Sequence, residues 1–185
     1  FRYLGEEVSA SSSPTTIRQA DGIILPGVGA FGSAMDELKK RRLDQVLYEE
    51  AKAGKPLLGI CLGMQLLFDE SDEFGVHEGL HLIPGRVEAF PKDIDLLVPQ
   101  MGWNQNVVNN EQSIFADVLD GSYTYFVHSY YAKCDQQYVV SYTNYGVKVP
   151  SCVEFKNVYG MQFHPEKSGE KGLEMLERFI ERVDE

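Results

Sequence analysis

The sequence predicts an α/β fold: an open, mostly parallel central sheet with helices on both faces, plus a smaller antiparallel sheet. Three observations predict it. In the first half, short all-apolar runs, "GIILPG" (22–27) and "PLLGI" (56–60), alternate with amphipathic helical stretches, the pattern of a parallel sheet covered on both sides. The second half turns strand-rich, and the chain closes on an amphipathic helix over 172–183. A length of 185 residues suits one well-filled domain, 1–185, and there is no repeat, low-complexity tract or interdomain linker.

The elements follow in order. "FRYLGEEV" reads as the last turn of a helix, stopped at Gly5, and "EEVSAS" as a strand after it. "ASSSPTT" (10–16) is a loop with a helix cap. "GIILPG" is a short buried strand ending in turn residues. Over 33–54, Met35, Leu38, Leu43, Val46, Leu47 and Ala51 recur near helical spacing, predicting one helix that Gly54 stops. "PLLGI" is a second buried strand and "LGMQLLFDE" (62–70) a helix behind it. "GRVEAF", "WNQNVV", "YTYFVHSY", "QYVVSYT", "SCVEF" and "VYGMQF" supply the later strands. By strand propensity alone Tyr123, Tyr125, Phe126 and Trp103 read as core.

Charge and cysteine content narrow the function. Seventeen Lys and Arg against twenty-eight Asp and Glu leave a net charge of −11, which argues against gripping nucleic acid or an anionic membrane. No apolar run approaches the length of a membrane span. Cys61, Cys134 and Cys152 are odd in number and widely spaced, which argues against a disulfide framework or a zinc site and for a reducing, cytoplasmic setting. His77 and His81 lie in the polar loop "GVHEGLHL" and lack the company of metal ligands.

The chemistry concentrates at Cys61. It sits on the turn between the strand "PLLGI" and a helix, flanked by Gly59 and Gly63. A sharp strand-to-helix turn exposes its side chain at the carboxyl edge of the sheet, as in a nucleophile elbow. Free N–H groups and the positive dipole end of the helix behind it favour thiolate, the nucleophilic form. A small buried cysteine at a tight turn is the plain alternative. "VYGMQFHPE" runs a strand into His164, Pro165 and Glu166, and the i, i+2 spacing puts carboxylate and imidazole on one side. The two motifs together supply a Cys-His-Glu triad at the carboxyl ends of strands, where open α/β sheets keep their sites. "LPGVGAFG" (25–32) is rich in free N–H groups and, with the N–H of Leu62, suits an oxyanion hole. It lacks the Lys-Ser/Thr ending of a phosphate loop and the spacing of a dinucleotide fingerprint.

"GICLGMQ" with "QFHPEKS" resembles the class I (triad-type) glutamine amidotransferases, and "PGVGAFG", "MGWN", "YFVHSYY" and "HPEKSG" extend the likeness over nearly the whole chain. The resemblance implies that the chain hydrolyses L-glutamine to glutamate and ammonia without a cofactor. It implies delivery of the ammonia to a cyclase subunit, a (β/α)8 barrel, in histidine biosynthesis. Carried over by position, Cys61 is the nucleophile, His164 the acid/base and Glu166 its orienter. Gly27, Val28 and Gly29 match the oxyanion strand, with Leu62 beside the nucleophile. Gln65 matches the glutamine-binding residue, and Ser129 and Tyr130 match positions whose backbone holds the amino-acid end of the substrate. Trp103, Asn104, Tyr125 and Lys167 match positions that face the cyclase. Gln100 stands where the family often has histidine. The alternatives are the glutaminase of another ammonia-channelling synthase, a stand-alone cysteine hydrolase of the same fold, and a non-enzymatic relative. The family places a strand and a Gly-rich turn before its first helix. The chain is therefore expected to lack about twenty residues, one strand and most of a helix, with the empty strand position beside "GIILPG".

Overall fold

A computed structural model describes all 185 residues. After a single helical turn at Arg2–Leu4 come helix α1 (Pro14–Gln19), strand β1 (Ile23–Leu25), α2 (Phe31–Lys40), α3 (Leu43–Lys52), β2 (Leu57–Ile60) and α4 (Leu62–Gln65). Next are β3 (Glu70–Ser71), β4 (His77–Glu78), β5 (Arg86–Ala89), β6 (Gln100–Gln105), β7 (Val107–Val108), α5 (Ala116–Leu119), β8 (Tyr123–His128) and β9 (Tyr130–Lys133). The chain ends with β10 (Val139–Asn144), β11 (Lys148–Phe155), β12 (Val158–Met161) and α6 (Gly169–Asp184).

The main sheet has six strands in the order β1-β2-β12-β11-β10-β7. β1, β2 and β12 run parallel, and the other three pair antiparallel. A four-stranded sheet, β4-β3-β5-β9, and a β6-β8 pair lie beside it. Strand alternation divides the apolar core between the faces of the main sheet. Leu57, Val153 and Val158 join Phe31, Met35, Leu47 and Ala51 of α2 and α3 on one side. Leu58, Ile60, Cys152, Tyr159 and Met161 join Val118 and Leu119 of α5 and Met175, Leu176 and Phe179 of α6 on the other.

Several local expectations change. Residues 33–54 form two helices, broken at Arg41 and Arg42, where Arg42 takes φ 58°. The break lets α3 restart on buried Leu43. The helix expected over 62–70 lasts one turn, because the chain's next carbonyls turn to other partners: Leu66 O accepts from Leu80 N, Leu67 O from Leu82 N and Ile83 N, and Phe68 O from His81 N. A four-residue helix carries little macrodipole, so the turn's own N–H groups are the electrostatic aid left to Cys61. "EEVSAS" joins no sheet. Gly5 does end a helical turn, at φ 91°, and Ser13 caps α1, with its side chain accepting from Thr16 N at 3.5 Å. β1 is an edge strand of the main sheet, and Phe1 packs edge-on against Phe179, 6.4 Å between ring centroids.

Gly59 and Gly63 answer to close approach. A Cβ on Gly63 would stand 1.7 Å from the Leu25 carbonyl oxygen, and one on Gly59 would stand 2.5 Å from the Gly63 carbonyl oxygen. Strand β1, strand β2 and the turn after β2 therefore fit only without side chains there. Gly63→Ala is expected to destabilise the fold by about 3 kcal/mol, the cost of overpacking a rigid backbone contact, lowering Tm by roughly 6–12 °C for a chain of this size. Calorimetry checks it, and an unchanged Tm would show that β1 yields at this contact.

Candidate active site

Cys61 occupies the turn at the end of β2 with φ 56° and ψ −112°, a backbone state that non-glycine residues seldom adopt. The main sheet holds it there: Cys61 N donates to Met161 O of β12 at 2.8 Å. Two and three residues past β12 the same strand path delivers Phe163 and His164. The His164 side chain is 8% exposed, and its Nδ1 lies 2.6 Å from Glu166 Oε1. That contact leaves Nε2 for the sulfur, and Cys61 and His164 line one cavity of about 270 Å³. Contact with Cys61, and then the hydrogen bond to Glu166, outweigh burial and raise the His164 pKa to about 9. Burial pulls the Glu166 carboxyl upward, but the hydrogen bond from His164 prevails and holds it below its ordinary value. The imidazole is thus charged at neutral pH and able to donate a proton at the cavity floor.

The rest of the cavity is built from the expected segments. Val28 and Gly29, in the turn after β1, face Leu62 across the Cys61 turn, and Gln65 stands one helical turn on. Gly29 has φ 101°, and Val28 is 82% exposed. A Cβ on Gly27 would stand 3.6 Å from Leu62, but Gly27 lines a neighbouring cleft that also touches Val28, His164 and Glu166. Ser129 and Tyr130 close the opposite wall. Gln65 Nε2 donates to Tyr130 O at 2.9 Å and to Gln162 Oε1 at 3.0 Å, which leaves the Gln65 carbonyl oxygen without a protein partner.

Three residues at the site were not anticipated from the sequence. Glu73 is the one carboxylate among the cavity's lining residues, and it accepts from Phe31 N at 2.8 Å, capping α2. Its pattern signal was slight, one acid among several in "DESDEFG" after the elbow. Burial, then the charges of Glu73 and Asp72, raise the Tyr130 pKa, so this wall carries a negative field suited to an ammonium group. Gln162 is fully buried and reaches Cys61 Sγ through Nε2 at 3.9 Å. His128 also lines the cavity, though the sequence offered it only as part of an aromatic strand.

The outward-facing residues correct the core reading. Phe126 is fully buried, but Tyr123 and Trp103 are 57% and 53% exposed and Tyr125 is half-buried. Period-two alternation in β8 explains this, since Thr124, Phe126 and His128 point inward and the tyrosines between them cannot. Trp103 stacks edge-on against Tyr125 at 6.1 Å, Asn104 beside it is half-buried, and Lys167 is exposed next to Glu166. His77 and His81 sit apart from the cavity, His81 Nδ1 2.9 Å from Asp69 Oδ1.

A cysteine on a strained strand-end turn, a charged histidine backed by a carboxylate, and backbone N–H groups around a small polar cavity define a site for nucleophilic acyl transfer. A profile described as glutamine amidotransferase class-I matches residues 5–183, and the chain belongs to that family. Among its relatives, the imidazole glycerol phosphate synthase subunit HisH of Lactiplantibacillus plantarum is 54% identical over 99% of this chain and 88% of that protein. The protein of the same name from Listeria monocytogenes is 50% identical over 97% of this chain and 86% of its own. A solved glutamine amidotransferase superposes with TM-score 0.75 at 17% identity, covering 100% of this chain and 90% of that one. The glutaminase domain of Trypanosoma brucei CTPS, with bound acivicin, superposes at 0.58 with 18% identity, over 91% and 74% of the two chains.

The ion pair fixes a pH dependence. His164, raised above its ordinary 6.5, contributes stability that is complete below 6.5 and lost as pH rises through about 9. Glu166, lowered from 4.5, contributes stability present above 4.5 and lost as it is protonated. The Tm gap between the wild type and Glu166→Gln is therefore expected to be widest between pH 4.5 and 6.5 and to narrow toward pH 9. Thermal melts across that range check the sign; a gap that widens with rising pH contradicts the pairing.

Proposed function

We propose that this chain is the glutaminase subunit of an imidazole glycerol phosphate synthase, hydrolysing glutamine and passing ammonia to a cyclase subunit in histidine biosynthesis. The observation that carries the reading is the meeting of Cys61 and His164 at one cavity, with Glu166 hydrogen-bonded to His164, in a chain half-identical over nearly its full length to relatives of that name. The Cys61 thiolate attacks the side-chain amide carbon of glutamine, forming a C–S bond. The oxyanion is held by backbone N–H groups of the Val28–Gly29 turn and of Leu62, each such donor being worth about 10²–10³-fold in rate. His164, charged at neutral pH, protonates the leaving nitrogen as the C–N bond breaks, and ammonia departs. Neutral His164 then takes a proton from water, the hydroxide adds to the thioester, and glutamate leaves as Cys61 regains its thiolate. Glu166 keeps the imidazole oriented. The Glu73 carboxylate and the free Gln65 oxygen suit the α-ammonium of the substrate, and the Ser129–Tyr130 backbone its carboxylate end.

The exposed face with Trp103, Asn104, Tyr125 and Lys167 receives the cyclase, a (β/α)8 barrel that consumes the ammonia. Lys167 follows the triad glutamate directly, so an acid on the partner paired with it would bear on the site. The three unpaired cysteines suit work in the cytoplasm.

Cys61→Ala is expected to abolish glutamine-dependent product formation by the two-subunit complex while ammonia-dependent synthesis persists. Assays with each nitrogen source decide it, and loss of both activities in a folded, assembled variant would refute the division of labour. The chain alone is expected to hydrolyse glutamine slowly, and added cyclase with its nucleotide ligand to raise the rate by orders of magnitude. Lys167→Glu should weaken that stimulation or assembly more than it alters the basal rate; full activity from the lone subunit would remove the need for any such gate.

A further inference from the structure

The His128 ring is 7% exposed and lies between two aromatic rings, Phe90 at 5.5 Å and Phe126 at 5.9 Å between centroids. Both ring nitrogens are engaged. Nδ1 lies 2.7 Å from the Tyr130 carbonyl oxygen, and Nε2 lies 2.9 Å from Gln100 Oε1. Gln100 is fully buried, and its Nε2 donates to Asn104 Oδ1 at 3.0 Å. On the other side, the same Tyr130 oxygen accepts from Gln65 Nε2, whose second hydrogen goes to Gln162 Oε1, and Gln162 Nε2 reaches Cys61 Sγ. One unbroken line of polar contacts thus runs from Asn104, beside exposed Trp103, through the interior to the sulfur.

We propose that His128 is a positioning residue of the glutaminase, which fixes the Tyr130 carbonyl, and through it the Gln65 amide and the Ser129–Tyr130 wall of the cavity, against the Gln100–Asn104 end of β6. The inference rests on the glutaminase reading above. A carbonyl oxygen only accepts, so Nδ1 must carry a proton. Burial lowers the His128 pKa to about 4, with the hydrogen bond to Tyr130 opposing, so the ring is neutral at pH 7 and Nε2 accepts. A neutral ring protonated at Nδ1 requires the Gln100 and Asn104 side-chain amides to exchange their oxygen and nitrogen positions, so that Gln100 donates to His128 Nε2 and Asn104 donates to the Gln100 oxygen. With both hydrogens of Gln65 Nε2 spent on Tyr130 and Gln162, its oxygen is the atom left for substrate. Loss of the His128 bond frees the shared Tyr130 oxygen to swing, and with it the amide that presents this acceptor. His128 acts on substrate binding through that carbonyl, while Cys61, His164 and Glu166 remain in place.

The test uses the chain assembled with its cyclase, wild type and variants, with Tm measured on each. His128→Phe keeps a planar ring and removes both bonds; the glutamine KM is expected to rise about tenfold, the effect of one lost buried hydrogen bond, with kcat changing far less. His128→Asn, whose amide can donate to Tyr130 from near the Nδ1 position, should recover most of that rise. Gln100→Met, which spares the Tyr130 bond, should give a smaller rise and serves as the second variant if His128→Phe does not fold. Nitrogen-15 spectra of the imidazole at pH 7 should give the neutral, Nδ1-protonated form. An Nε2-protonated or charged ring, or variants whose KM matches an active wild type, overturns the inference alone. A wild-type complex without glutaminase activity overturns the functional reading and this inference with it.

Discussion

Everything at the site depends on the register of three parallel strands. β1, β2 and β12 align Leu25 with Gly59, Gly59 with Gly160, and Ile60 with Met161. That alignment brings the ends of the three strands to one edge, where they release the Val28–Gly29 turn, Cys61 and the path to His164. Gly59 and Gly160 stand side by side and present no side chain, so α4 lies on them. A Cβ on Gly160 would meet Met64 at 2.7 Å, as one on Gly59 would meet the Gly63 carbonyl. A slip of one residue in β12 would turn its inward side chains outward and carry His164 away from the sulfur. The glycines around Cys61 are thus first a packing solution. Nucleophile geometry follows from it, because the turn has nowhere to go except into the positive-φ state that Cys61 adopts.

The parts legible in the sequence were those written in short periods. All-apolar runs gave the buried parallel strands, and two turn motifs gave Cys61, His164 and Glu166, which the fold brings to one edge. Less legible were features decided by long-range partners. The break at Arg41–Arg42 falls in the five-residue gap between Leu38 and Leu43, about 140° apart on a continuous helix, and the helical spacing on either side hides it. The early end of α4 depends on the N–H groups of residues 80–83, far along the chain. Trp103 looked like core because tryptophan usually is; its exposure comes from pairing with β8, whose inward positions were already filled by Phe126 and His128. Glu73 and Gln162 became visible only when the cavity had a shape.

The two buried histidines show how one side chain takes opposite roles. His164 meets a carboxylate and a thiol, and its pKa rises to about 9. His128 meets two neutral amide groups and two aromatic rings, and its pKa falls to about 4. Burial acts against charge at both; only a nearby anion reverses it. At neutral pH one imidazole therefore holds a proton ready for transfer and the other serves as a fixed donor and acceptor. Their difference in environment separates the proposed proton transfer from the proposed positioning within the lining of one cavity.

Strand β8 joins these parts to the surface. The carbonyl of Tyr125 accepts from His164 N at 3.0 Å, and its N–H donates to Ser168 Oγ at 3.1 Å, which in turn donates to the His164 carbonyl. The backbone that presents the half-exposed Tyr125 ring therefore also holds the histidine of the proposed triad. Three residues on, the same strand ends in His128 and the Ser129–Tyr130 wall. A body pressing on Trp103 and Tyr125 would act on a strand that touches both histidines through its main chain, with no flexible loop between. Because packed strands shift as units rather than bend residue by residue, a small change at that face would reach the imidazole and the substrate wall together. That shared support is a physical reason for the proposed partner-facing surface and the proposed hydrolytic site to lie on two sides of one strand.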